Sequence, residues 1–138
     1  MYDEGVGVAQ DFNEAAEWYR KAAEQGSADA QFSLGEMYRA GKGVAQDSNK
    51  AVRWYRKAAD QGFADAQCSL GHMCCHGEEV VQDYNEAVRW FLKAADRGHA
   101  AAQFNLGNIY REGKGVAQDF NEAVRWYRKA ADQGFADA

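Results

Sequence analysis

The stretch "AQFSLGEMYRAGKGVAQDSNKAVRWYRKAADQGFAD", residues 30–65, decides how the chain folds, because it returns twice with few changes. Residues 66–101 read "AQCSLGHMCCHGEEVVQDYNEAVRWFLKAADRGHAA", and residues 102–137 read "AQFNLGNIYREGKGVAQDFNEAVRWYRKAADQGFAD". Half a copy stands before them. Trp18, Trp54, Trp90 and Trp126 are spaced by 36 residues, as are Gly26, Gly62, Gly98 and Gly134, so the period runs without a gap. A fixed period of this length is the mark of a repeat architecture.

Each copy reads as two helices. Ala30, Leu34, Met37 and Tyr38 fall at i, i+4, i+7 and i+8, one stripe of a first helix (helix A), and Gly35 lets a neighbour approach it closely. Gly41 closes it. The second helix (helix B) opens on an aspartate with a glutamate three residues on, as Asp11/Glu14, Asp83/Glu86 and Asp119/Glu122, which predicts a reciprocal capping box. In the first full copy Lys50 follows Asp47 instead. Ala51, Trp54, Tyr55 and Ala58 form the apolar face of helix B, while Arg53, Arg56 and Lys57 belong outside. Gly62 takes the left-handed position that ends it. The chain has no proline, so glycine carries the punctuation.

One helix pair cannot bury its own apolar stripe, so successive pairs must stack. The expected fold is all-α: a right-handed α-solenoid of 36-residue helix-turn-helix repeats. It forms one repeat domain over 1–138, with a half repeat at 1–27, full repeats at about 28–63, 64–99 and 100–135, and the start of a further helix at 136–138. Met1-Tyr2 aligns with Met37-Tyr38, and neither end carries the polar outer face of a terminal repeat. This predicts a piece of a longer array, with end-to-end self-association through its uncapped ends.

Composition narrows the function. With 46% hydrophobic and 13% aromatic residues, the 138-residue chain can bury a core. A net charge of -5 argues against nucleic acid, whose phosphates call for a basic surface. No run approaches the roughly 18 apolar residues of a membrane span, so direct membrane insertion is not expected, and "MYDEGVGVAQ" lacks the regions of a signal peptide.

"ADAQFSLGEMYRAGKGV" followed by "AVRWYRKAADQG" resembles the Sel-one-like repeat (SLR), a relative of the tetratricopeptide repeat. Leu34-Gly35, Met37-Tyr38, Gly41-x-Gly43-Val44, Trp54-Tyr55, Lys57-Ala58-Ala59 and Gly62 carry the resemblance at fixed offsets, and it covers essentially the whole chain. The family often has proline after Gly-x-Gly-Val, where this chain has Ala45, Val81 and Ala117. The resemblance implies a non-enzymatic adaptor that holds a partner peptide or protein in a concave groove; bacterial relatives are often exported. The likeness to tetratricopeptide repeats implies which helix A positions line that groove. They are Asp29, Phe32, Glu36, Arg39 and Ala40 in the first full copy, and Asp65, Cys68, His72, Cys75 and His76 in the second. The third supplies Ala101, Phe104, Asn108, Arg111 and Glu112. Phe32 and Phe104 would act as aromatic platforms among mixed charges.

The second full copy departs most from the others. Cys68, His72, Cys75 and His76 lie at i, i+4, i+7 and i+8 on one helix face, and His72 with His76 has the spacing that can grip a transition metal. A helix rises about 12 Å from Cys68 to His76, too far for all four to reach one ion through bonds of about 2 Å. Other ligands would have to come from neighbouring copies, with Glu36 or Glu112 as candidates. Cys68 and Cys75 would stand about 10 Å apart, beyond the roughly 7 Å a disulfide allows, so free thiols are expected. Cys74 replaces a tyrosine in the buried stripe and reads as a small core thiol. Glu79 stands where the other copies have glycine, at a cost of about 1 kcal/mol if that position needs positive φ.

Catalytic motifs are absent: the chain has no Ser-x-x-Lys, Gly-x-Ser-x-Gly, P-loop or His-Glu-x-x-His, and its one nucleophile-base pair is Cys75 with His72 at i, i+3. The reading is therefore a partner-binding scaffold with no cofactor. A metal- or thiol-dependent site at Cys68/His72/Cys75/His76 and a purely structural spacer in a longer array are the alternatives. Residues 43–66 and 115–138 differ only at Ser48/Phe120 and Lys50/Glu122, which points to recent duplication or consensus design.

Overall fold

The computed structural model describes residues 6–77 and 83–134, and among these it has seven α-helices and no strand. They are α1 (Val6–Glu24), α2 (Ala28–Ala40), α3 (Ser48–Asp60), α4 (Ala64–His76), α5 (Tyr84–Asp96), α6 (Ala100–Glu112) and α7 (Phe120–Asp132). The chain is an all-α helical repeat in which α2, α4 and α6 are A helices and α1, α3, α5 and α7 are B helices. It divides into two compact units, Met1–Gln61 and Gly62–Ala138.

In the first unit, α2 starts where Ser27 Oγ accepts the Ala30 N–H at 3.3 Å, and it ends at Gly41, whose φ of 74° lets its N–H return to the Met37 carbonyl. Ala30, Leu34, Met37 and Tyr38 are buried along one stripe. Gly35 sits in the middle of it. A Cβ there would stand 2.9 Å from the Tyr55 ring, so the missing side chain is what lets α3 lay its fully buried tyrosine on α2.

The second unit repeats this device twice: a Cβ on Gly71 would meet the Phe91 ring at 2.8 Å, and one on Gly107 would meet the Tyr127 ring at 2.5 Å. Leu70, Met73 and Cys74 of α4 and Leu106 of α6 are buried beside these contacts. A buried glutamine adds a polar clamp. Gln103 Nε2 donates to the Ala95 carbonyl at 3.2 Å, and its Oε1 accepts from Gln133 at 2.8 Å. Gln31 does the same in the first unit with the Ala23 carbonyl and Gln61. In the middle copy Arg97 takes the place of Gln61 and Gln133.

The predicted capping box forms by half. Asp47, Asp83 and Asp119 each accept the backbone N–H three residues on at 3.1 Å. Their own N–H groups donate to helix A carbonyls, Asp47 to Tyr38, Asp83 to Cys74 and Asp119 to Tyr110, at 2.9–3.0 Å. That donor is already satisfied, so the glutamates turn elsewhere: Glu86 accepts from the Trp90 indole N–H and Glu122 from Arg125. Lys50 in the glutamate position therefore leaves the cap of α3 intact.

The capping box at Asp11/Glu14 is a second correction, because α1 begins at Val6 and runs straight through Asp11. In two full copies the loop before helix B is pinned to helix A, by the aspartate N–H and by Gln46 or Gln118 donating to the carbonyl of Arg39 or Arg111. No such helix A precedes α1 among the described residues, and with no proline to stop it the segment continues as helix. The expected end of a helix A at residues 1–2, the start of a further helix at 136–138, and Glu79 lie outside the described residues.

Candidate functional site

The second unit holds a cavity of about 340 Å³ between its two A helices. His72, Cys75 and His76 of α4 form one wall; Asn105, Asn108, Ile109 and Glu112 of α6 form the other, with Tyr84 and Phe91 of α5 and Lys114 completing it. Five of these ten residues are groove positions expected from the sequence. The first unit has its own cavity of about 380 Å³, lined by Phe12, Ala15, Tyr19, Ser33, Glu36, Met37, Ala40 and Lys42. Adding two periods of 36 to Phe12, Tyr19, Ser33, Glu36, Met37, Ala40 and Lys42 gives Tyr84, Phe91, Asn105, Asn108, Ile109, Glu112 and Lys114, all of which line the other cavity. The repeat therefore builds the same concave site in each unit and varies its chemistry.

The register shared by Glu36, His72 and Asn108 shows that variation best. Tyr55 Oη donates to the Glu36 carboxylate, and burial, then Glu36, hold its hydroxyl far above the ordinary range. Tyr127 Oη donates to Asn108 Oδ1 at 2.5 Å, so the Asn108 amide keeps its N–H groups to give. Burial raises the Tyr127 hydroxyl as well. In the middle copy the helix B residue is Phe91, which has no hydroxyl, and His72 stands opposite. The tyrosine thus orients the groove residue in two copies and is absent in the third.

Of the other expected groove residues, Glu36 and Ala40 line the first cavity and the rest lie outside both. Phe32 and Phe104 are half-buried, each with its ring centre 5.6 Å from Tyr55 or Tyr127. Asp65 is held by His99 Nε2 at 2.7 Å, while His99 Nδ1 accepts the Ala102 N–H and so caps α6; this makes Nε2 the donor. Asp29, Arg39, Ala40, Ala101 and Arg111 are exposed or half-buried, and of these only Ala40 lines a cavity. The lining residues not expected in the groove are Tyr84, Phe91, Asn105, Ile109 and Lys114, with Phe12, Tyr19, Ser33, Met37 and Lys42 as their equivalents in the first unit, where Ala15 joins them. Ser33, Glu36, Met37 and Ala40 follow i, i+3, i+4 and i+7, the signal that could have found the wall.

The cysteine and histidine cluster assembles only in part. His72 and His76 are in ring contact, with centroids 4.2 Å apart, and Cys75 lies beside them in the cavity. Cys68 is not among the cavity lining and faces Asn105 Nδ2 at 4.0 Å. Among the described residues, no group of three or more His, Cys, Asp and Glu side chains could hold a metal ion. None of the three cysteines is in a disulfide. Burial pushes the Cys68 thiol up to about 11, with Asp65 adding to the shift, and burial also raises Cys75, against the pull of Lys114. Both are neutral at physiological pH, the wrong state for a nucleophile.

Among the described residues, no helix is long and apolar enough to cross a membrane. No curated protein matches the chain. Solved structures do. The crystal structure of c5321, a protective antigen present in uropathogenic Escherichia coli strains displaying an SLR fold, is 45% identical with a TM-score of 0.84, covering 86% of this chain and 26% of its own. A Sel1 repeat protein from Oxalobacter formigenes is 45% identical with a TM-score of 0.87, covering 97% of this chain and 55% of its own. Helicobacter pylori cysteine rich protein B is 25% identical with a TM-score of 0.74, covering 96% of each chain. The chain thus spans 26% of the length of the first relative and 55% of the second. The Sel1 repeat model matches residues 1–27, 28–63, 64–99 and 100–135, so the chain belongs to the Sel1 repeat family, generally one of protein-interaction scaffolds.

Proposed function

We propose that this chain is a non-catalytic interaction module that takes a partner peptide or protein along the faces of its A helices. The observation that carries the reading is the recurrence of one concave site at one register in both units, lined by apolar and polar side chains together. A site of this composition suits an apolar side chain entering while its polar flanks meet the walls. The groove residues expected from the sequence, Phe32, Arg39, Phe104 and Arg111 among them, extend that surface beyond the cavities. The neutral thiols weigh against the thiol-dependent alternative. Peptides selected from a displayed library against the whole chain should lose at least about tenfold in affinity with Tyr84→Ala or His72→Ala. They should keep their affinity with Arg89→Ala or Arg125→Ala on helix B, all four proteins melting alike. Sensitivity confined to the helix B arginines would overturn the groove.

A second reading, end-to-end self-association, has an observation of its own. Val88 of α5 is 7% exposed, and its repeat equivalent Val124 of α7 is 48% exposed with Phe120 beside it at 62%. At the other kind of face, Trp126 is 6% exposed and its equivalent Trp18 is 71% exposed. These are the two sides of one repeat-to-repeat contact, and such head-to-tail contacts propagate rather than close. Sedimentation over rising concentration should give a ladder of oligomers that Val124→Asp abolishes. A monomer at all concentrations would dismiss the contact.

A further inference from the structure

We propose that the cavity of the second unit recognises an acidic side chain carried beside an apolar one, and that its affinity rises as pH falls through the histidine range. The inference rests on the groove reading above and names the chemistry of the anchor. Phe91 and Ile109 make the apolar part of the lining. The polar part offers donated hydrogen bonds and two imidazoles that can take up positive charge. Glu112 is the one carboxylate in the lining among the described residues, and two cations meet it: Lys114 Nζ at 3.5 Å and Arg111 at 3.4 Å. Within the lining Lys114 therefore balances Glu112, and Arg111 brings a further positive charge beside the cavity on a chain whose net charge is -5. Asn108 adds N–H groups, since Tyr127 occupies its oxygen.

His72 and His76 make the site responsive to pH. Their rings touch on the cavity wall, and a proton on either adds positive charge where an acidic partner would sit. The groups facing them are Cys75 on the same helix, Tyr84 of α5, and Glu112 and Lys114 from α6 and the loop after it. Cys75 is held neutral by burial, and Tyr84, then Glu112, hold the Lys114 ammonium above its ordinary value, so neither loses or gains charge between about pH 6 and pH 8. A proton on either imidazole favours an anion at this wall, so binding of an acidic partner strengthens on the acid side. The first unit differs at the same register: Glu36 is a carboxylate that accepts from Tyr55, with Lys42 in the same lining.

The test uses the whole chain and two isosteric probes, N-acetyl-leucyl-glutamate and N-acetyl-leucyl-glutamine, followed by the side-chain amide resonances of Asn105 and Asn108. Near pH 6 the glutamate probe should bind about fivefold more tightly than the glutamine probe, the effect of one added favourable charge contact. The ratio should shrink near pH 8, and His72→Gln/His76→Gln should remove its pH dependence. Lys114→Gln should lower it at both pH values, with melting curves showing that the variants stay folded. Equal binding of the two probes, or a ratio that ignores pH in the unmodified protein, overturns the charge assignment and leaves the groove standing. Failure of both probes to move either amide up to their solubility overturns the anchor. Library peptides that still require Tyr84 in that case keep the groove reading, and peptides indifferent to Tyr84 remove it too.

Discussion

Replacing Gly43 with alanine is expected to lower the free energy of unfolding by about 2–4 kcal/mol, the largest effect of any single methyl group in the first unit. Two causes add. Gly43 has a φ of +77°, a conformation that costs an L-residue about 1 kcal/mol. A Cβ at this place would also stand 2.2 Å from the Phe12 carbonyl oxygen and 2.6 Å from the carbonyl carbon. Those atoms are backbone and cannot swing aside as a side chain would, so the loop must lift from α1, which adds the roughly 1–3 kcal/mol of overpacking. Gly26 separates the two terms in the same unit, because its φ is +99° and nothing lies within 4 Å of its virtual Cβ. Gly26→Ala should therefore cost about 1 kcal/mol. Urea titrations of both variants decide the matter: equal losses would mean that the loop is not seated on the backbone at Phe12.

The second large effect belongs to the contact between Gly71 and Phe91. Phe91 is 2% exposed and lies on the glycine of α4, so Phe91→Ala should cost about 3–5 kcal/mol through lost burial and the cavity left behind. Gly71→Ala places a methyl 2.8 Å from the ring and should cost about 1–3 kcal/mol, partly offset by the better helix propensity of alanine. The pair is coupled. Against Phe91→Leu, whose branched side chain leaves more room above the glycine, Gly71→Ala should cost at least about 1 kcal/mol less than it does against phenylalanine. A double-mutant cycle by thermal or urea unfolding tests this, and strict additivity would show that the two residues do not share the contact. The cycle bears on function as well as stability, because Phe91 also forms part of the cavity lining.

Much of the fold is legible in the sequence. The stripe of Ala30, Leu34, Met37 and Tyr38, the close approach at Gly35 and the turn at Gly41 each depend on residues within a few turns of one another, and local spacing encodes them directly. The candidate site is legible by half. His72, Cys75, His76, Asn108 and Glu112 are expected in the groove and line one cavity, yet Cys68 does not join them and Asp65 is tied to His99, 34 residues further on. Tyr84 and Lys114 escape a reading by helix A register because neither lies on an A helix, and the wall they make exists only once helix B is packed against its neighbours.

By itself, then, the sequence determined that the chain is a tandem array of helix pairs, where the helices after α1 sit, and which residues are interchangeable between copies. These properties follow from a period of 36 residues and from helical spacing, both of which survive without knowledge of distant contacts. Tertiary structure alone decided where hydrogen bonds go when several partners compete. The N–H of Asp47, Asp83 and Asp119 chose a helix A carbonyl over a glutamate three residues away, and Asp11, with no helix A before it among the described residues, became part of a longer helix instead of its cap. Packing likewise decided that the hydroxyls of Tyr55 and Tyr127 reach Glu36 and Asn108 across the helix pair. Such choices depend on which groups arrive first within hydrogen-bond reach, and that is a property of the packed helices together.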